Sequence, residues 1–158
     1  MRVELTRDEY QFAIEEAHDQ RRRALENRRQ HLGKQGASED DQLRWHLLGM
    51  LGEIAVSRVT GHPVTSHRIY DPRATDVGPY QVKSTTKNRN LIVAERDQKL
   101  GHKPFTPYIL CWVGMDPRVV TLVGWASFAE IATDEYWVDS WRKWLVPFTH
   151  LHSIDELL

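Results

Sequence analysis

The chain has 158 residues, 41% of them apolar, and a formal net charge of −1 at pH 7. This length suits one domain able to bury about two-thirds of the surface its unfolded form exposes, and the single cysteine, Cys111, excludes an intrachain disulfide. The first residues lack the apolar core of a secretory signal and no apolar run approaches the ~20 residues of a membrane span, so a soluble, cytoplasmic protein with no membrane partner is expected.

Thr6 to Glu9 reads as a capping box, and the acid-then-base order after it suits a helix dipole, predicting a first helix from about Arg7 to His31. From His18 to Lys34 this segment has a net charge of +4, with Arg21, Arg22, Arg23, Arg28 and Arg29 at its centre. Residues 1–36 therefore read as a basic helical extension of the single domain, offering either a nucleic-acid arm or a homodimer contact, against the plainer reading of a solvated face with internal ion pairs. Gly33 and Gly36 end it. Ser38 with Asp41 opens a second helix, in which Leu43, Leu47, Met50, Leu51, Ile54 and Val59 recur at helical spacing until Gly61. Glu53 lies on that helix, flanked by Gly49 and Gly52. Each of these glycines costs a helix ~1 kcal/mol against alanine, so a close approach of the sheet is expected at both.

Between Gly61 and Ala94 the pattern changes to short β-like pieces broken by Pro63, Pro72 and the pair Gly78-Pro79, which predicts a hairpin with Asp76 on one arm and Lys83 on the other. Residues 86–105 read as a basic loop with a short strand at Leu91–Ala94 and a helical turn after it. Gln81 to Lys103 again carries a net +4. The apolar runs Tyr108–Val113 and Val119–Trp125, joined by Gly114 to Pro117, predict two more strands, with Cys111 as a packing residue. Ser127 to Glu130 is a further capping box. Beyond it, Trp137, Trp141 and Trp144 at i, i+4 and i+7 predict the buried side of a helix, and the acidic tail from Asp116 balances the basic segments. The fold class is α+β, with a small mixed sheet of four or five strands flanked by helices.

Gln81 and Lys83, two apart on a strand, share a face while Val82 points to the core. If Asp76 faces the same way and Glu53 approaches from the second helix, carboxylates, an amide and an ammonium converge. Asp76 and Glu53, with the Val82 carbonyl, offer oxygen ligands to Mg²⁺, Mn²⁺ being the alternative. Lys83 would stabilise charge on a phosphate or an attacking oxygen, and Gln81 would orient a water. His46, two turns before Glu53, shares its face, either as a contact to substrate or, more simply, as a hydrogen-bonded structural histidine. Ser84, Lys87, Arg89, Arg96 and Lys99 are candidate contacts to nucleic-acid phosphates, Arg89 foremost.

The stretches Gly49-Met-Leu-Gly-Glu-Ile-Ala55, Asp76-x4-Gln81-Val-Lys83 and Val123-Gly-Trp-Ala126 resemble the PD-(D/E)XK nuclease superfamily, especially its small phage and prokaryotic members. The resemblance runs from about Trp45 to Leu158. It implies a restriction-endonuclease-like core and a metal-dependent DNA endo- or exonuclease that hydrolyses phosphodiesters by in-line attack of a metal-activated water. By position, Glu53, Asp76 and Lys83 would be its catalytic residues. Gln81 stands where the family has a variable acidic residue; members with Q-x-K are known, and Asp71, Glu95 or Asp97 could restore the missing charge. A second reading stays open: a non-catalytic nucleic-acid-binding or phage assembly protein on a decayed nuclease fold. An RNA nuclease is the third.

Overall fold

A computed structural model of the chain describes residues 1–28, 38–65, 74–99 and 103–158, the side chains of residues 27, 28 and 99 excepted. Helix α1 (Arg7–Arg28) begins at the expected capping box, where the Thr6 hydroxyl accepts from the Glu9 N–H at 3.2 Å and the Thr6 N–H donates to Glu9 Oε2 at 2.6 Å. Its predicted continuation to His31 lies outside the described residues. Helix α2 (Glu39–Thr60) starts at Ser38, whose hydroxyl accepts from the Asp41 N–H. It ends at Gly61, whose φ of 73° lets its N–H close back on the Ser57 carbonyl. Ala13 and Ala17 of α1 are buried, Ala13 in one cluster with Met50 of α2, the Gln20 amide reaches Met50 Sδ at 3.1 Å, and the Arg21–Glu39 ion pair ties the two helices. Arg22 and Arg23 both pair with Asp19, so these three α1 arginines are engaged within the helical layer.

The main sheet has the order β1-β5-β4-β2, built from β1 (Arg2–Glu4), β2 (Gln81–Thr86), β4 (Pro107–Val113) and β5 (Val119–Ser127). Only the β2–β4 pair is parallel, which makes the sheet mixed. Residues 87–106 supply the long connection that a parallel pair requires; they contain β3 (Leu91–Ala94) and α3 (Glu95–Lys99). Strand β3 joins a second sheet of order β3-β7-β6, with β6 (Trp137–Val138) and β7 (Lys143–Val146). Helices α1 and α2 cover one face of the main sheet, and Val3, Leu5, Ala13, Met50, Leu51, Ile54, Val82, Ile109 and Cys111 form the core between them. The other face packs on the second sheet and the short helix α4 (Phe128–Ile131) through Leu91, Val93, Tyr108, Leu110, Phe128 and Trp144. Strand β4 is buried on both faces, and for that reason its sequence is a continuous apolar run rather than an alternation.

The helix expected from the tryptophan spacing is not formed. Trp137 and Trp144 instead face each other across the β6–β7 pair, ring centroids 5.0 Å apart, and Trp141 sits in the turn between them, 56% exposed. A seven-residue separation brings two side chains to one helix face, but it also brings them opposite one another across a tight antiparallel connection. Here Arg142, at φ 54°, reverses the chain.

The carboxy-terminal segment crosses β5 at Gly124, where an added Cβ would stand 2.6 Å from the His152 carbonyl oxygen. Trp125 donates to the Ser153 carbonyl, so the Gly-Trp-Ala stretch seats the chain end. His152 Nε2 meets Glu130 at 2.7 Å, beside the capping box at Ser127. The Ser127 hydroxyl first, and His152 second, hold Glu130 down at about 2, while the bond to Glu130 raises His152. A lowered carboxylate stabilises the fold above its ordinary 4.5 and loses this as pH falls through about 2; a raised histidine stabilises below its ordinary 6.5 and loses this as pH rises past its folded value. Both contributions are complete only between those ordinary values. Glu130→Gln, which keeps an acceptor for Ser127, is expected to cost more stability near about pH 5.5 than near about pH 9, by at most about 1 kcal/mol because the pair is half-exposed. Thermal unfolding midpoints across pH check this, and equal losses at both pH values would refute it.

Candidate active site

The turn predicted at Gly78-Pro79 is present and tight, but among the described residues Asp76 lies on no strand arm: pairing across the turn is limited to the Val77–Tyr80 bridge. Asp76 and Val77 donate their N–H groups to the Tyr80 carbonyl, Tyr80 returns one to Val77, and the Thr75 hydroxyl donates to the Gly78 carbonyl. Gly78 adopts φ 50°, and a Cβ there would lie 2.6 Å from His62. The turn carries Asp76 to the outer edge of β2, where its Oδ2 accepts the Val82 N–H at 2.8 Å. In a strand the carbonyl of a residue points the same way as its N–H, so the Val82 oxygen is directed to this outer edge as well.

The β2–β4 register fixes which face each residue occupies. Val82 pairs with Ile109 and Ser84 with Cys111, all on the side of α2; Gln81 pairs with Tyr108 and Lys83 with Leu110, on the side of the second sheet. Gln81 and Lys83 share a face as expected, yet α2 packs across the opposite one. Its closest approach is Gly52, where a Cβ would meet Ser84 Oγ, with Ser84 Cβ at 3.1 Å and Cys111 Cβ at 3.3 Å. Glu53 follows directly, 7% exposed, its carboxylate lying back along the helix 4.0 Å from the position a Gly49 Cβ would take. Glu53 and Lys83 are therefore on opposite faces of an edge strand, with Asp76 at the edge between them.

Ser84, expected to reach phosphate, is corrected to a packing residue: its hydroxyl is buried under Gly52 and has no hydrogen-bond partner among the described residues. Gln81, expected to orient water, is 5% exposed and donates its amide to the Ala74 carbonyl at 3.2 Å, latching the turn. A glutamate could not make that bond. His46 turns to α1, its Nδ1 3.0 Å from Gln20 Oε1, in keeping with the structural reading. Burial pushes Cys111 up to about 12, with the charge of Glu53 adding to the rise, so the thiol is inert packing.

Lys83 is held from two sides. Its Nζ lies 3.1 Å from Asp97 Oδ2, an ion pair rather than an aligned hydrogen bond, and 5.6 Å from the centroid of the Tyr108 ring. Asp97 is 5% exposed at the start of α3. The buried Tyr108 hydroxyl is pushed well up by desolvation, then by Asp97, then by Asp76, which sets both carboxylates within electrostatic reach of one phenol. In the sequence Asp97 stands out only as one of three spare carboxylates, and Tyr108 only as the start of an apolar strand. The available signal for Asp97 was its place just past an apolar strand, but its partner is 14 residues upstream, beyond any local spacing rule. Asp71 lies outside the described residues, and Glu95 is engaged by Arg142.

Lys87 and Arg89 extend the strand of Lys83 into an exposed turn through Asn88, at φ 63°. The turn is pinned: the Trp112 indole donates to the Arg89 carbonyl at 2.8 Å, and Asn90 accepts from the Phe148 N–H. Neither Lys87 nor Arg89 makes an ion pair with the described residues. Arg96 is exposed, its Nε 3.9 Å from Asp97 Oδ1, and the Lys99 side chain is outside the description. Among the described residues no three His, Cys, Asp or Glu side chains gather as a metal cage, and no helix is long and apolar enough to cross a membrane.

What fold and contacts define is a mixed α+β protein whose sheet edge carries a carboxylate and, beside it, a part-exposed lysine paired with a buried aspartate. No protein-family model, curated protein or solved structure matches the chain.

Proposed function

We propose that the protein is a divalent-cation-dependent phosphodiesterase acting on DNA, with a restriction-endonuclease-like core of the PD-(D/E)XK type. The observation that carries this reading is the edge of β2, where the Asp76 carboxylate accepts the Val82 N–H, and the next residue, Lys83, carries an ammonium on the adjoining face. The donors are all oxygen, suited to a hard cation; with no third acid gathered among the described residues, such a cation would keep several of its waters, as Mg²⁺ does. Asp76, the Val82 carbonyl and Glu53 would hold Mg²⁺ or Mn²⁺, which when bound supplies charge neutralisation at phosphate and a more acidic water. Lys83 places an ammonium where negative charge grows on the phosphoryl oxygens. Asp76 holds the turn on β2, and Gln81 locks that turn through Ala74.

Lys87 and Arg89 bind the backbone of the same strand of nucleic acid. Replacing both by alanine is expected to weaken binding to DNA of any sequence and to reduce the slope of log K against log salt by about 1 per charge removed. Fluorescence anisotropy across a salt series measures it, and an unchanged slope would remove these two residues from the interface. The α1 arginines, committed to Asp19 and Glu39, carry no such expectation.

The placement of Glu53 on the face opposite Lys83, together with the Gln81 latch, favours as second reading a non-catalytic nucleic-acid-binding or phage assembly protein. Incubation with linear, circular and single-stranded DNA in Mg²⁺ or Mn²⁺, and with RNA in parallel, separates the readings. Cleavage that needs the cation supports the enzyme, binding without cleavage the second reading.

A further inference from the structure

Lys83 is about one-third exposed, and its partner Asp97 is almost wholly buried. The partner belongs to α3, which follows a strand of the second sheet, so the contact joins the two sheets of the molecule. A lysine at a sheet edge has four rotatable bonds and would otherwise sample many positions. Here the ammonium lies between Asp97 and the Tyr108 ring, on the face that Gln81 shares. Burying a carboxylate without a cation beside it is costly, and Lys83 is a cation that faces Asp97. We infer that Asp97, reaching across from α3, is the positioning residue for Lys83. The inference rests on the enzymatic reading for its catalytic consequence, but not for the pair itself.

The test has two parts. In thermal unfolding, Lys83→Met is expected to lower the midpoint more than the double variant Lys83→Met/Asp97→Asn, because the single change strands a buried carboxylate and the double change removes it. Strictly additive midpoint shifts would overturn the inference whether or not the protein cleaves DNA. In cleavage assays, Asp97→Asn is expected to lower kcat by on the order of 10²-fold with KM unchanged, and Asp97→Glu to restore most of it. An unchanged kcat, or a loss that appears only in KM, would reduce Asp97 to scaffolding and overturn the positioning role. If the wild type cleaves nothing, the proposed function fails, and the unfolding comparison alone decides the pair.

Discussion

Replacing Asp76 by asparagine should reduce cation-dependent cleavage to about 1% of wild type or less, the range seen when a charge acting directly on a phosphoryl transition state is removed, while the fold survives. The amide oxygen of asparagine can still accept the Val82 N–H that now reaches Oδ2 at 2.8 Å, so the edge of β2 keeps this hydrogen bond while the charge is lost. Asp76→Ala is the harsher change. It orphans a half-buried backbone donor, adding about 1–3 kcal/mol of destabilisation to the loss of activity, and the two variants together separate electrostatics from architecture. The measurement is initial cleavage rate at saturating Mg²⁺ beside the unfolding midpoint. An Asp76→Asn protein that cleaves as fast as wild type would end the enzymatic reading of this site.

Gly52→Ala and Gly49→Ala should move stability in opposite directions. Both substitutions return ~1 kcal/mol of helix propensity, so the sign is set by what the new methyl meets. At Gly52 it meets Ser84 Oγ at a separation no real contact shows, then Ser84 Cβ at 3.1 Å and Cys111 Cβ at 3.3 Å. The hydroxyl can rotate away, but the two Cβ atoms are fixed to strands β2 and β4, so α2 must lift from the sheet. Overpacking of this kind costs about 1–3 kcal/mol, which outweighs the propensity gain and displaces the turn that carries Glu53. At Gly49 the nearest atom among the described residues is Glu53 Oε1 at 4.0 Å, ordinary contact, and the propensity gain stands. Chemical denaturation of the two variants reads the difference. A stabilised Gly52→Ala protein would mean that α2 does not rest on β2 as described.

The contrast between these glycines shows where local reading stops. Their cost to a helix is visible in the chain and predicts close approach at both, yet only Gly52 faces the sheet. The same limit governs the tryptophans. A separation of seven satisfies a helix face and a cross-strand pair alike, and the reversal at Arg142 decides between them. Ser84 reads as a hydroxyl well placed for phosphate after a lysine; the alternation of the strand turns it under α2 instead.

Features governed by a few consecutive residues were determined by the sequence itself: the capping boxes at Thr6 and Ser127, the Ser38 start and Gly61 stop of α2, the Gly78-Pro79 turn, and the shared face of Gln81 and Lys83. Caps, turns and strand alternation depend on backbone hydrogen bonds and sterics within about four residues, so the chain states them directly. Tertiary structure alone decided the rest. It placed α2 on the face of β2 away from Lys83, set Asp76 at the strand edge, and brought Asp97 to Lys83 from a helix attached to the other sheet. These relations depend on which surfaces bury against each other and in what register, a property of the packed whole that no local spacing encodes.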